Sequence, residues 1–143
     1  MSATVALLEE LIGFDTTSSR SNLALVERVA DRLDGTGARI RLSHDEDRSK
    51  ANILASFGPR GPGGIVLSGH TDVVPVDDQS WSSDPFRLTE RDGKLYGRGV
   101  ADMKGFVAAC ITAAGGFAAA DLARPIHIAL SYDEEVGCLG VPR

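Results

Sequence analysis

Ile65-Val66-Leu67-Ser68-Gly69-His70-Thr71-Asp72-Val73-Val74-Pro75 runs from an apolar, strand-like stretch into a loop that carries one histidine and one carboxylate. Two later stretches share its logic. Gly97-Arg98-Gly99-Val100-Ala101-Asp102-Met103-Lys104-Gly105 places Asp102 at the opening of an alanine-rich helical pattern. The apolar run Ile126 to Tyr132 ends in Asp133-Glu134-Glu135. Imidazole and carboxylates therefore gather at or just past the carboxyl ends of expected strands, where open α/β sheets build their sites. That donor mixture suits zinc and similar borderline cations. The pattern predicts an α/β fold whose candidate chemistry is metal-assisted hydrolysis.

Helices and strands alternate around this stretch. Val5, Leu8, Leu11 and Ile12 recur at helical spacing, so residues 4 to 14 read as an amphipathic helix. A polar loop from Asp15 to Ser21 leads to a second helix, with Asn22 as its expected N-cap and Leu25, Val26, Val29, Ala30 and Leu33 on one face. Gly35 and Gly37 end it. Ala38, Ile40 and Leu42 alternate with arginines at strand periodicity, and Ser43 to Lys50 reads as an exposed loop. Asn52 to Phe57 and Gly64 to Ser68 are expected to pair through the Gly58-Pro59-Arg60-Gly61-Pro62-Gly63 turn. Asp92-Gly93 is an expected hairpin turn. Residues 103 to 120 form a helix of high propensity, closed by Pro125. The economical architecture is a layered sheet of mixed or mostly parallel strands flanked by helices.

Composition narrows the partners. The 143 residues fit one domain, with 43% hydrophobic and 24% charged residues. A net charge of −5 and scattered Lys and Arg argue against a nucleic-acid partner. No apolar stretch is expected to reach the about 18 residues a membrane helix needs, and the N-terminus lacks a basic signal-peptide start. Cys110 and Cys138 form no disulfide framework and read as small packing residues. A cytoplasmic location is the expectation.

Taken singly, the polar signals are ambiguous. His70-x-Asp72 reads as a metal ligand with the carboxylate that orients it, or as a loop histidine beside a turn-capping Asp. Asp102 reads as a bridge between two cations, or as a plain N-cap. Glu134 and Glu135, adjacent at a strand end, are expected to point to different sides, or to be a solvated acidic cap on a following helix. Gly97, Gly99 and Gly105 allow close approach of backbone to the site. Lys104 is expected near acids without a catalytic role, and Trp81 as a loop anchor; His44 and His127 receive no role.

Together, residues 68 to 75, 97 to 105 and 131 to 140 resemble, in order and spacing, the three metal-site motifs of the dinuclear-zinc amidohydrolase and peptidase family. That family holds acetylornithine deacetylase, succinyl-diaminopimelate desuccinylase, aminoacylase and glutamate carboxypeptidase. The connecting text from Trp81-Ser82-Ser83-Asp84-Pro85-Phe86 through Arg91 to Gly99, and Tyr132 to Gly140, looks most like the acetylornithine deacetylase branch. The resemblance implies two zinc ions, with cobalt as an alternative. It makes His70, Asp102 and Glu135 metal ligands, with Asp102 bridging. It makes Asp72 the residue that orients His70, and Glu134 the general base. It also implies a cis peptide after Asp102. The substrate class it implies is a small N-acyl amino acid, foremost N2-acetyl-L-ornithine hydrolysed to ornithine and acetate in arginine biosynthesis. Desuccinylase, aminoacylase and dipeptidase activities are the alternatives within the family, and a non-catalytic truncated fragment is the alternative outside it.

The family pattern also requires a further acidic ligand, a histidine near the C-terminus, and a lid or dimerisation domain through which a complete protein would form a homodimer. None of these matches residues 1–143. The resemblance therefore implies the N-terminal part of a metal-dependent catalytic domain, an incomplete zinc-peptidase-like fold.

Overall fold

The computed structural model describes residues 1–142. The chain forms helices α1 (Ala3–Ile12) and α2 (Leu23–Leu33), then strands β1 (Arg39–His44), β2 (Ala51–Phe57) and β3 (Ile65–His70). A small hairpin of β4 (Thr89–Arg91) and β5 (Lys94–Tyr96) follows, then a turn over Val100–Lys104, helix α3 (Gly105–Ala119) and strand β6 (Ile126–Ser131). The expected α/β class holds, with a mixed sheet in the order β1-β2-β6-β3.

One expected pairing is wrong. β2 and β3 do not form a hairpin, because β6 lies between them, antiparallel to β2 and parallel to β3. The glycine-rich segment after β2 instead spans the entry of β6. Gly64 sits so close to Pro125 that an added Cβ would lie 2.2 Å from its carbonyl oxygen, and the Ile65 N–H donates to that same oxygen at 3.1 Å. A turn signal reports a change of direction, not which strand becomes the neighbour.

The three helices and the sheet share one core. Leu7, Leu8, Leu11 and Ile12 of α1, Leu25, Val26, Val29 and Leu33 of α2, and Val107, Ala108, Ile111 and Ala114 of α3 are all buried. They join Ala51, Ile53, Ala55 and Phe57 of β2 and Ile128 and Leu130 of β6 in a single cluster. Phe57 meets Phe117 edge to face, with ring centroids 5.6 Å apart. Each such large apolar side chain contributes about 1.5–3 kcal/mol on burial. The alternate residues, among them Arg41, Leu54, Ala129 and Ser68 in register across all four strands, lie on the other sheet face and line a shallow hollow with Asn52 and Val141. β3 is an edge strand and leaves Ile65 and Val66 exposed.

Several local expectations change in detail. Ser2 caps α1 by accepting the Val5 N–H at 3.2 Å. Asn22 makes no side-chain cap; its amide brackets the Ala51 backbone, donating to the carbonyl and accepting the N–H, and donates to Thr71 Oγ1. The Asp92-Gly93 turn has positive φ at both residues, 54° and 70°, as a tight hairpin between right-twisted strands requires. Residues 100–119 are long and apolar enough, by length and composition, to cross a membrane, contrary to expectation. That run contains non-helical Asp102 and Met103, and its face from Val107 to Ala114 packs in the core. Cys110 is buried as expected, whereas Cys138 is exposed.

Candidate metal centre

Parallel pairing of β3 with β6 builds the centre. His70, the last residue of β3, aligns with Ser131, the last of β6, so both strands deliver their following loops to the same end of the sheet. The Thr71 N–H donates to the Ser131 carbonyl at 2.8 Å and locks that alignment. The Asp133-Glu134-Glu135 turn therefore emerges beside His70, Thr71 and Asp72. His70 is buried, and donor atoms of His70, Glu134 and Glu135 all lie within 4.8 Å of one another.

Asp102 arrives from the turn ahead of α3. Gly99 takes a left-handed φ of 84° and its carbonyl accepts the Lys104 N–H at 2.7 Å, which folds the intervening residues back on themselves. The Asp102–Met103 peptide is cis, and Met103 Sδ receives the His70 backbone N–H at 3.3 Å. Asp102 Oδ1 then sits 3.0 Å from His70 Nε2, with Glu134 Oε2 3.8 Å from the same nitrogen. Both carboxylates remain open to solvent, with side-chain exposures of 75% for Asp102 and 44% for Glu134.

Asp72 does more than face the histidine. Its backbone carbonyl, rather than its carboxylate, makes the short contact with His70 Nδ1 at 2.9 Å; the carboxylate stands at 3.5 Å. Oδ1 accepts the Glu134 N–H at 3.0 Å, while Oδ2 accepts the Glu135 N–H at 3.2 Å and the Ser18 hydroxyl at 2.6 Å. The acidic pair is thus held in a turn, not a strand, and the expectation that its side chains point to different sides fails. Strand alternation ends with β6 at Ser131, and both Glu side chains converge on His70.

The electrostatics follow from these contacts. Hydrogen bonding to Asp72 raises His70 to about 9, against the opposing effect of burial and with help from Asp102. Both of its nitrogens face atoms that accept, so both carry protons when no cation is present. Burial works to raise Asp72, yet hydrogen bonds from His70, Ser18 and the two Glu amides outweigh it and bring the carboxyl down to about 2. Glu135 is pushed up by burial and by the negative charge of Asp102.

This donor set fits a divalent cation. A backbone carbonyl only accepts, so Nδ1 must donate to Asp72 and Nε2 is the nitrogen left for a metal. Donor atoms of His70, Glu134 and Glu135 within 4.8 Å of one another give the mixed imidazole and carboxylate set that such a cation accepts.

Lys104 departs from expectation. It is buried and donates to the Leu11 and Phe14 carbonyls at 2.9 and 2.6 Å, capping the end of α1 instead of pairing with the site's acids. Burial lowers it to about 8. Trp81 has Arg98 stacked over its ring at 5.0 Å. Sequence reasoning missed Ser18 and Lys50 altogether, since each lies in a segment that reads as polar loop and reaches the site only through tertiary contacts.

The sequence profile of Peptidase family M20/M25/M40 matches residues 66–143, the stretch that holds His70, Asp72, Asp102, Glu134 and Glu135. The chain belongs to peptidase family M20/M25/M40. It is 45% identical over 127 residues to the acetylornithine deacetylase of Pasteurella multocida (strain Pm70), and 44% identical over 127 residues to that of Proteus mirabilis (strain HI4320). Each match takes in 88% of this chain and 33% of the relative. The chain thus spans about a third of the length of these M20 relatives. Human carnosine dipeptidase 1 superposes with a TM-score of 0.81 at 32% identity, over 96% of this chain and 33% of that one. An M20 metallo-carboxypeptidase of Sulfolobus solfataricus shares the fold with a TM-score of 0.84 at 20% identity, over 99% of this chain and 33% of that one.

Proposed function

We propose that this chain is the N-terminal part of the catalytic domain of a metal-dependent hydrolase of linear amides, acting on small N-acyl amino acids and foremost on N2-acetyl-L-ornithine. The observation that carries this reading is the convergence of His70, Glu134 and Glu135, with Asp102 on His70 Nε2. The acyl group is argued from the relatives, since 45% identity to a protein named acetylornithine deacetylase exceeds 32% to a dipeptidase.

In this reading His70, Asp102 and Glu135 would hold the metal, with Asp102 as the ligand shared by two ions. Two zinc ions, or cobalt in their place, would supply Lewis acidity toward the scissile carbonyl and the attacking water. Glu134 accepts a proton from that water on its solvent-reaching carboxylate and returns it to the departing amine. Asp72 ligates nothing; it fixes the ring of His70 through its carbonyl and the backbone of both glutamates through its carboxylate.

Catalytic zinc normally has three protein ligands plus water. With Asp102 shared, His70 and Glu135 provide only one further ligand for each of two ions, so this chain alone is expected to bind zinc weakly and turn over little. A chimera joining residues 1–143 to the remaining length of the Pasteurella multocida relative tests the function. Zinc retention with turnover of N-acetyl-ornithine, and much slower turnover of N-succinyl-diaminopimelate, is the expected result. Preference for the succinyl compound or for a dipeptide would move the specificity elsewhere in the family. A folded chimera without zinc or turnover would point to a non-catalytic protein.

A further inference from the structure

Three consecutive acids, Asp133-Glu134-Glu135, follow β6, yet the donor atoms that converge with His70 come from Glu134 and Glu135. Asp133 faces elsewhere because it is occupied. Lys50 Nζ lies 2.6 and 2.7 Å from its two oxygens, so one ammonium holds the whole carboxylate. The same Nζ donates to the Ser18 carbonyl at 2.5 Å, and the Tyr132 ring lies 5.9 Å from it. Both members of the pair are largely shielded, with side-chain exposures of 15% for Lys50 and 12% for Asp133.

Ser18 links this pair to the opposite wall of the centre. Its carbonyl takes Lys50, its hydroxyl donates to Asp72 Oδ2, and its N–H donates to the Val73 carbonyl at 3.2 Å. A chain of contacts therefore runs from Asp133 through Lys50 and Ser18 to Asp72, which itself grips the amides of Glu134 and Glu135. Asp133 also takes a left-handed φ of 54°, the bend that turns the next two residues back toward His70.

We propose that Lys50 is a positioning residue of the metal centre: by engaging both oxygens of Asp133 it keeps that acid away from the metal and fixes Glu134 and Glu135 as the acids presented to it. The physical need is plain. Four other carboxylates, on Asp72, Asp102, Glu134 and Glu135, already crowd this end of the sheet, and an unpaired fifth would compete for the cation and repel the rest. The proposal rests on the metal-centre reading above and adds to it a residue far away in sequence.

Cobalt(II) is the probe, because its visible absorption reports the ligand set directly. On the 143-residue chain, K50M is expected to weaken cobalt binding by about 10-fold, the scale on which groups around a ligand set act, and to alter the visible bands. K50R, which keeps the charge, is expected to restore both. D133N added to K50M is expected to return the affinity and bands toward wild type, since the competing carboxylate is then gone. That double variant leaves no unpaired acid and keeps the test open if K50M alone does not fold. Wild-type affinity and bands in K50M, or a K50M defect that D133N leaves unchanged, would overturn the proposal while the metal centre stands. If wild type takes up too little cobalt to measure, as its short ligand set allows, the metal-centre reading is decided by zinc retention in the chimera. Amide exchange at Glu134 and Glu135 then decides the positioning role: faster exchange in K50M supports it, and unchanged exchange overturns it.

Discussion

Asp72 Oδ1 accepts the backbone N–H of Glu134 at 3.0 Å across 62 positions of sequence. Its other oxygen takes the Glu135 N–H and the Ser18 hydroxyl. One carboxylate thereby sets where two candidate functional acids stand, and its removal has several consequences at once.

Asp72→Ala is expected to destabilise the metal-free protein by at least about 2 kcal/mol, since buried donors left without acceptors cost about 1–3 kcal/mol each. Metal affinity is expected to fall about 10–100-fold alongside. Chemical denaturation in the presence of chelator and zinc titration calorimetry measure the two effects. A variant of unchanged stability would mean that the Glu134 and Glu135 amides find water readily.

Glu134→Gln separates holding from chemistry. In the active chimera it is expected to keep zinc content near wild type and to lower kcat by about 10²–10⁴-fold, the usual contribution of a general base. Metal analysis and steady-state kinetics on one preparation give both numbers. Near-normal turnover would assign the proton transfer to another group.

His70 makes the metal-free protein pH-sensitive in a defined direction. Its folded pKa of about 9 lies above its ordinary value of 6.5, so its stabilising contribution is complete below pH 6.5 and is lost as pH rises toward 9. Thermal unfolding in chelator is expected to show a falling Tm across that window. Metal competes with the Nε2 proton, so zinc affinity is expected to rise over the same window, by up to about tenfold per pH unit, with proton release on binding. Equal zinc affinity at pH 6.5 and 8.5 would contradict this.

Gly105 opens α3 where an added Cβ would lie 2.4 Å from the Val100 carbonyl oxygen. Gly105→Ala is expected to cost about 1–3 kcal/mol, as overpacking does, and to displace Asp102 along with the turn. Denaturation midpoints and cobalt spectra together check it; Gly115→Ala in the same helix, where a Cβ meets nothing within 4 Å, is the matched control.

Much of the fold is legible in the amino-acid sequence. Periodicity locates α1 and α2, alanine-rich propensity locates α3, alternation locates β1, the glycine-proline turn bounds β2, and the Asp92-Gly93 pair marks its hairpin, because these signals depend on neighbours a few residues apart. Pairing of β2 with β3 misleads, because partner choice depends on which apolar strand best fills the space between them, and β6 wins with Ile128 and Leu130 buried on the helical side. The three polar motifs point to the correct end of the sheet. Their resemblance to a family points to a metal, and the profile match places the chain in that family.

What sequence alone determined is the set of groups available: one histidine and a handful of carboxylates placed at strand ends, and the apolar periodicities that bury a core beneath them. What only tertiary structure decided is which of those groups meet. Parallel alignment of His70 with Ser131, the fold-back that carries Asp102 to Nε2, the bonds from Asp72 to two amides, and the grip of Lys50 on Asp133 all join residues tens of positions apart. Local preference cannot encode such contacts, because each depends on the distance between elements that only the packed sheet and helices bring within hydrogen-bonding reach.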